Sequence, residues 1–121
     1  MVAAARARVE NLTPGQVAAE LRDADTLLVD IREREELAAS GVIHGSVHAP
    51  RGMLEFYADP TTAYHRPEFR PERRVILHCA SGGRSALAAD MLAELGYTNV
   101  AHLDGGLKAW REQGLPVATQ A

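Results

Sequence analysis

The stretch Val75-Ile76-Leu77-His78-Cys79-Ala80-Ser81-Gly82-Gly83-Arg84-Ser85-Ala86-Leu87 constrains this chain more than any other. An apolar run ends at a cysteine, two glycines follow within four residues, and a helical pattern begins directly after them. The local expectation is a buried strand, a tight loop and a helix whose N-terminus faces the cysteine sulfur. Glycine lets such a loop adopt positive φ angles and turn several backbone N–H groups inward. The start of the helix adds a partial positive charge. An environment of this kind favours thiolate over thiol, and a cysteine at a helix N-terminus can ionise several units below its ordinary value of about 8.5. Cys79 therefore reads as a nucleophile held in an anion-binding loop. The competing reading is a small buried hydrophobe beside an ordinary strand–turn–helix.

The remaining chain supplies the frame around that loop. Thr13-Pro14-Gly15-Gln16 is a helix start, with threonine as cap, proline at the first helical position and glutamine placed for a capping box. Thr26 to Ile31 is a continuous apolar run read as a buried strand, with Asp30 near its carboxyl end. Glu33 to Ala39 is a charged helix that stops near Gly41. A short strand is expected around Val47-His48-Ala49 and a helical turn over residues 52–57. Residues 59–74 carry Pro60, Pro67 and Pro71 and read as an irregular, non-core loop. Val75 to His78 is a strand. Ser85 to Leu95 is the strongest helical pattern, with Leu87, Met91 and Leu95 four apart and flanked by Ala88 and Leu92, and Gly96 closes it. Val100 to Leu103 is a strand, and Asp104-Gly105-Gly106 turns into a last helix carrying Leu107 and the core anchor Trp110.

This alternation predicts one α/β domain over residues 1–121: a central, mainly parallel sheet of about five short strands flanked by helices. Its core runs from about residue 12 to 118, and residues 1–10 are expected to be flexible. Ligands in such sheets sit beyond the carboxyl ends of strands, where Asp30, Cys79 and Asp104 all fall. With Lys+Arg 13 against Asp+Glu 16, nothing favours nucleic acid or a membrane surface as partner. Lys108 is the only lysine. One cysteine excludes an internal disulfide and a multi-cysteine metal site, and leaves no resolving thiol in the chain. No apolar run approaches a membrane span, and the expected location is cytoplasmic.

Several segments together resemble the rhodanese-like family. Cys79-Ala80-Ser81-Gly82-Gly83-Arg84-Ser85 is similar to its C-x-x-G-x-R-S active loop, and Val29 to Glu33 to its D-V-R-E segment. Residues 41–50 resemble G-H-I-x-G-A-x-x-I-P. Leu103 to Gly106 with Trp110 resembles L-x-G-G-x-x-x-W, and Gly114-Leu115-Pro116-Val117 the closing G-x-P-V. The motifs occur in the family's order across about residues 12–118.

The resemblance implies a single-domain sulfurtransferase of the thiosulfate:cyanide type. A persulfide would form on Cys79, and Ala80, Ser81, Gly82, Gly83, Arg84 and Ser85 would bind it. The donor and acceptor would be small molecules, with a protein or low-molecular-weight thiol as another possible acceptor, and no cofactor or metal is called for. Two other readings stand beside it: a regulatory or partner-dedicated sulfur-carrier module, and a cysteine phosphatase or arsenate reductase. The last class uses C-x5-R, whereas four residues separate Cys79 from Arg84 here, and Arg84 is expected to turn away from the loop. Relatives selective for thiosulfate carry basic residues in the loop, where Ala80, Ser81 and Gly83 are neutral; Arg51, His65 and Arg66 could supply charge or simply be solvated.

Asp30 and Arg32 are supporting residues by the same resemblance. Asp30 is expected to orient the loop or pair with Arg84, or else to form a purely structural ion pair. Strand alternation turns His78 away from Cys79, as a satisfied structural histidine. Ser81 and Ser85 could donate to the sulfur, with helix capping the other role for Ser85. His44, His48 and His102 are too scattered for a metal site.

Overall fold

A computed structural model describes residues 1–119. Five parallel strands form one sheet in the order β1-β5-β4-β2-β3: β1 (Glu10–Leu12), β2 (Leu27–Asp30), β3 (Val47–His48), β4 (Val75–His78) and β5 (Val100–Leu103). The helices are α1 (Val2–Arg8), α2 (Pro14–Glu20), α3 (Arg34–Ser40), α4 (Leu54–Ala58), α5 (Gly83–Glu94) and α6 (Gly106–Glu112), with a 3-10 turn at Arg51–Met53. The expected capping box forms: Thr13 Oγ1 accepts from Gln16 N–H, and Gln16 Oε1 accepts from Thr13 N–H.

Strand alternation divides the interior. Leu27, Val29, Ile31, Val75, Leu77 and Cys79 pack on one face with Ala88, Ala89 and Leu92 of α5. Leu28, Ile76, Ala101 and Leu103 pack on the other with Val17, Leu107 and Trp110. The pairing Asp30↔His78 puts both of these polar residues with the second set, opposite Cys79.

Three local expectations are corrected. Residues 2–8 are not a frayed end: α1 lies along α5, Ala5 is fully buried, and the Arg8 guanidinium holds the Asp90 carboxylate with both oxygens engaged. The irregular segment 59–74 does reach the core, through Phe69, which is 1% exposed beneath Tyr57. Of the large apolar residues along α5 Leu92 alone is fully buried, while Leu87 and Met91 are half-buried. Ser85, Ala86, Ala88, Ala89 and Leu92 are buried while Leu95 is exposed. A helix between a sheet and α1 needs small residues on its covered sides, so volume, not hydropathy, selects the face.

Candidate active site

Cys79 lies immediately beyond the carboxyl end of β4, and Gly82 immediately precedes α5. Gly82 has φ +98°, which a side chain would strain. Its N–H donates to Cys79 Sγ at 3.2 Å. Of the ring of amides expected around the sulfur, this is the one in contact with Sγ. The first N–H groups of α5, from Gly83 to Ser85, have no acceptor inside the helix and open at the same end.

The loop is held from outside by α6. Leu107 N–H donates to Cys79 O at 2.9 Å and Lys108 N–H to Ala80 O at 3.0 Å. Gly106, at φ +62°, allows this approach: a Cβ there would sit 2.6 Å from Cys79 O and from Ala80 C and O. The Leu103-Asp104-Gly105-Gly106 segment is thus a backbone clamp on the Cys79 loop. Cys79 itself is 1% exposed and backs onto the aliphatic cluster, but the Gly82 amide and the Ser85 hydroxyl both reach its sulfur. Ala80 is half-buried and Ser81 exposed, and neither hydrogen-bonds to the sulfur, whose partners are Gly82 N–H and Ser85 Oγ.

Arg84 turns away from the loop. Its guanidinium grips Glu36 of α3 through two bonds of 2.7 and 2.8 Å. That hydrogen-bonded ion pair lowers the Glu36 carboxyl to about 2 and raises the Arg84 guanidinium. Asp30 does not pair with Arg84. Its carboxylate takes Arg32 Nε at 3.0 Å, the second guanidinium nitrogen at 2.7 Å and Arg32 N–H at 3.1 Å. Arg32 also donates to Gly41 O at 2.7 Å, and both side chains are 1% exposed. Burial opposes ionisation of Asp30, but the hydrogen bonds from Arg32 together with nearby positive charge hold the carboxyl below its ordinary value. The pair ties the end of β2 to the C-terminal end of α3, and Arg84 is anchored to the first turn of the same helix.

His78 points away from Cys79 as expected, but neither ring nitrogen has a hydrogen-bond partner; Asp30 Oδ2 is 3.6 Å from Nε2. Burial drives its pKa down, so the ring is neutral despite the nearby carboxylate. Arg51 and Arg66 are taken up by Glu55 and Glu68, and His65 Nε2 by Phe69 O. The cation that does approach the loop comes from α1: a Cβ on Gly82 would lie 3.3 Å from a guanidinium nitrogen of Arg6.

Two residues outside the sequence motifs join the site. Ser85 Oγ lies 3.6 Å from Cys79 Sγ and 2.9 Å from Nδ1 of His102 on β5, whose Nε2 is 2.7 Å from Asn11 Oδ1 on β1. The signal for His102 is its parity: it follows Ala101 in a buried strand and so faces α5 rather than α6. Asn11 carries no such signal, because its role depends on β1 lying beside β5.

Residues 13–113 match the family described as the Rhodanese-like domain. The chain is 36% identical to a sulfurtransferase of Allochromatium vinosum over 93 residues, 77% of this chain and 78% of that one. The solution structure of the polysulfide-sulfur transferase homodimer of Wolinella succinogenes superposes with a TM-score of 0.79 at 31% identity, covering 99% of this chain and 85% of the other. A Rhodopseudomonas palustris protein of unknown function, described as a possible tyrosine phosphatase, superposes with a TM-score of 0.90 at 39% identity, covering 96% and 89%.

Proposed function

The chain belongs to the rhodanese-like domain family, and from that premise we propose that it is a sulfurtransferase. It moves a sulfane sulfur from a donor such as thiosulfate to a thiophilic acceptor, cyanide or a thiol, through a persulfide on Cys79. The observation that carries this reading is Cys79 Sγ receiving the Gly82 N–H at 3.2 Å beside the N-terminus of α5.

The chemistry is a double displacement. Cys79 thiolate attacks the outer sulfur of thiosulfate; a new S–S bond forms, the donor's S–S bond breaks, and sulfite leaves with the electron pair. The acceptor, as cyanide or thiolate, then attacks the outer sulfur of the persulfide. Thiocyanate or a new persulfide departs, and Cys79 is released as thiolate. Both steps are displacements at sulfur of the kind seen in thiol–disulfide exchange. The outer sulfur of the persulfide is anionic, and the Gly82 amide with the free first-turn amides of α5 is suited to stabilise it. Asp30 and Arg32 support the loop indirectly, by fixing the end of β2 against α3.

The likeness to a possible tyrosine phosphatase gives phosphoryl transfer a claim. The loop counts against it: it is C-x4-R, and its arginine is committed to Glu36, which removes the bidentate clamp a phosphate needs. Incubation with thiosulfate is expected to add the mass of one sulfur to the protein and none to Cys79→Ser. Cyanide or a small thiol should remove it. Sulfur that loads but is not discharged to either would indicate a carrier dedicated to one protein partner. Turnover of an aryl phosphate without sulfur uptake would overturn the proposal.

A further inference from the structure

We propose that Ser85 and His102 form a buried relay that receives the Cys79 thiol proton as the nucleophile ionises, with Asn11 setting its direction. The inference rests on the reading of Cys79 as nucleophile and adds the destination of its proton.

The direction follows from donors and acceptors alone. Asn11 Nδ2 faces two backbone carbonyls, Arg6 O and Val9 O, each at 3.0 Å. Carbonyls only accept, so the amide nitrogen of Asn11 must lie on that side and Oδ1 must face His102. Oδ1 only accepts, so Nε2 of His102 carries the hydrogen. In the neutral ring Nδ1 then holds the lone pair, and Ser85 O–H donates to it at 2.9 Å. The alternative acceptor for that hydroxyl, Gly82 O, is farther at 3.3 Å and already receives Ala86 N–H. With its one hydrogen directed at His102, Ser85 Oγ presents a lone pair to the Cys79 S–H at 3.6 Å. The chain runs Cys79 to Ser85 to His102 to Asn11, every donor pointing the same way, and all but Asn11 are buried.

Such a chain can pass a proton in one sense. The S–H bond of Cys79 breaks and its proton goes to Ser85 Oγ, while the Ser85 hydroxyl proton goes to His102 Nδ1. Sulfur keeps the electron pair, imidazole becomes imidazolium, and nothing enters or leaves. Each hydrogen bond survives: Nδ1–H now donates to Ser85, Ser85 to the thiolate, and Nε2–H still to Asn11. His102 acts through Ser85 and is a positioning residue, in the arrangement of nucleophile, intermediary and oriented base known from other sites. Burial lowers the basicity of His102, Asp104 raises it and Arg6 opposes it, and the balance lies below the ordinary imidazole value. The charged groups around the relay are Arg6 of α1, Asp104 after β5 and Arg84 at the start of α5.

Thiol–imidazole and thiolate–imidazolium hold the same number of protons. The thiolate fraction therefore has a plateau between two macroscopic titrations instead of a single rise. The test is the ultraviolet absorbance of the thiolate against pH, with Cys79→Ser as blank, for the wild type, His102→Gln and Ser85→Ala. The wild type should show the plateau and both variants a single rise. The thiolate fraction at about pH 6 should fall about tenfold or more, the effect of losing one opposite charge close to an ionising group. Folded variants that keep the wild-type profile overturn the relay. If the variants do not fold, nitrogen NMR of the wild type decides: the neutral His102 ring must carry its proton on Nε2, and an Nδ1–H tautomer overturns the proposal. The readouts need no sulfur donor. A protein that shows the plateau but takes up no sulfur from thiosulfate keeps the relay and loses the proposed function; uptake with unchanged variant profiles does the reverse.

Discussion

Gly106→Ala tests whether the loop around Cys79 is held by the backbone of α6. The added Cβ would meet Cys79 O and Ala80 C and O at 2.6 Å, all backbone atoms that cannot swing aside. The residue would also keep φ +62°, a left-handed conformation that costs a non-glycine residue about 1–2 kcal/mol. Relief of the clash requires α6 to retreat, which removes the Leu107 and Lys108 hydrogen bonds to Cys79 O and Ala80 O, each worth about 1 kcal/mol net. The expected loss is about 3–4 kcal/mol, a large share of the roughly 5–15 kcal/mol that holds a domain together. Urea unfolding measures it through the midpoint at constant slope. Gly45→Ala is the control, since Gly45 has φ +86° but no atom within 4 Å of its Cβ position. It should lose only the conformational part, about 1–2 kcal/mol. Gly106→Ala should in addition abolish sulfur loading of Cys79 in protein that remains folded. Equal losses in the two variants, with loading intact, would refute the clamp.

Asp30→Ala leaves the buried Arg32 guanidinium without its carboxylate, and urea unfolding should show a loss of about 3–5 kcal/mol. Replacing both members of that pair with apolar residues should recover much of it. Phe69→Ala should cost about 3–5 kcal/mol despite its place in an irregular segment, because the ring is 1% exposed. Glu36 has a folded pKa lowered to about 2 by its hydrogen bonds with Arg84. Its contribution is therefore complete above the ordinary carboxylate value and is lost as pH falls towards 2. Both side chains are about a third exposed or more, so Glu36→Gln should cost no more than about 1 kcal/mol near neutrality and nothing at the acid end. Acid titration of stability for the two proteins checks the convergence.

The local elements were legible because their causes are local. Thr13, Pro14 and Gln16 specify a helix start wherever the chain goes, and β4 and β5 fall on the apolar runs that announce them. The position of Cys79 between a strand and a glycine-opened helix follows from thirteen consecutive residues, Val75 to Leu87, and survives intact in the structure. What tertiary structure decided are the partners of polar groups that sequence leaves open. Asp30 had a candidate in Arg84, but Arg32 is two residues away and is carried into the same buried space by the turn after β2, while α3 offers Glu36 to Arg84. Alanines line the covered side of α5 because α1 and the sheet both close on it, which the helical period alone cannot reveal. His102 meets Asn11 across 91 positions of sequence only because β1 takes the edge beside β5. Period, capping and turn chemistry act over a few residues; the direction of a hydrogen bond between distant strands exists only once the sheet has been assembled.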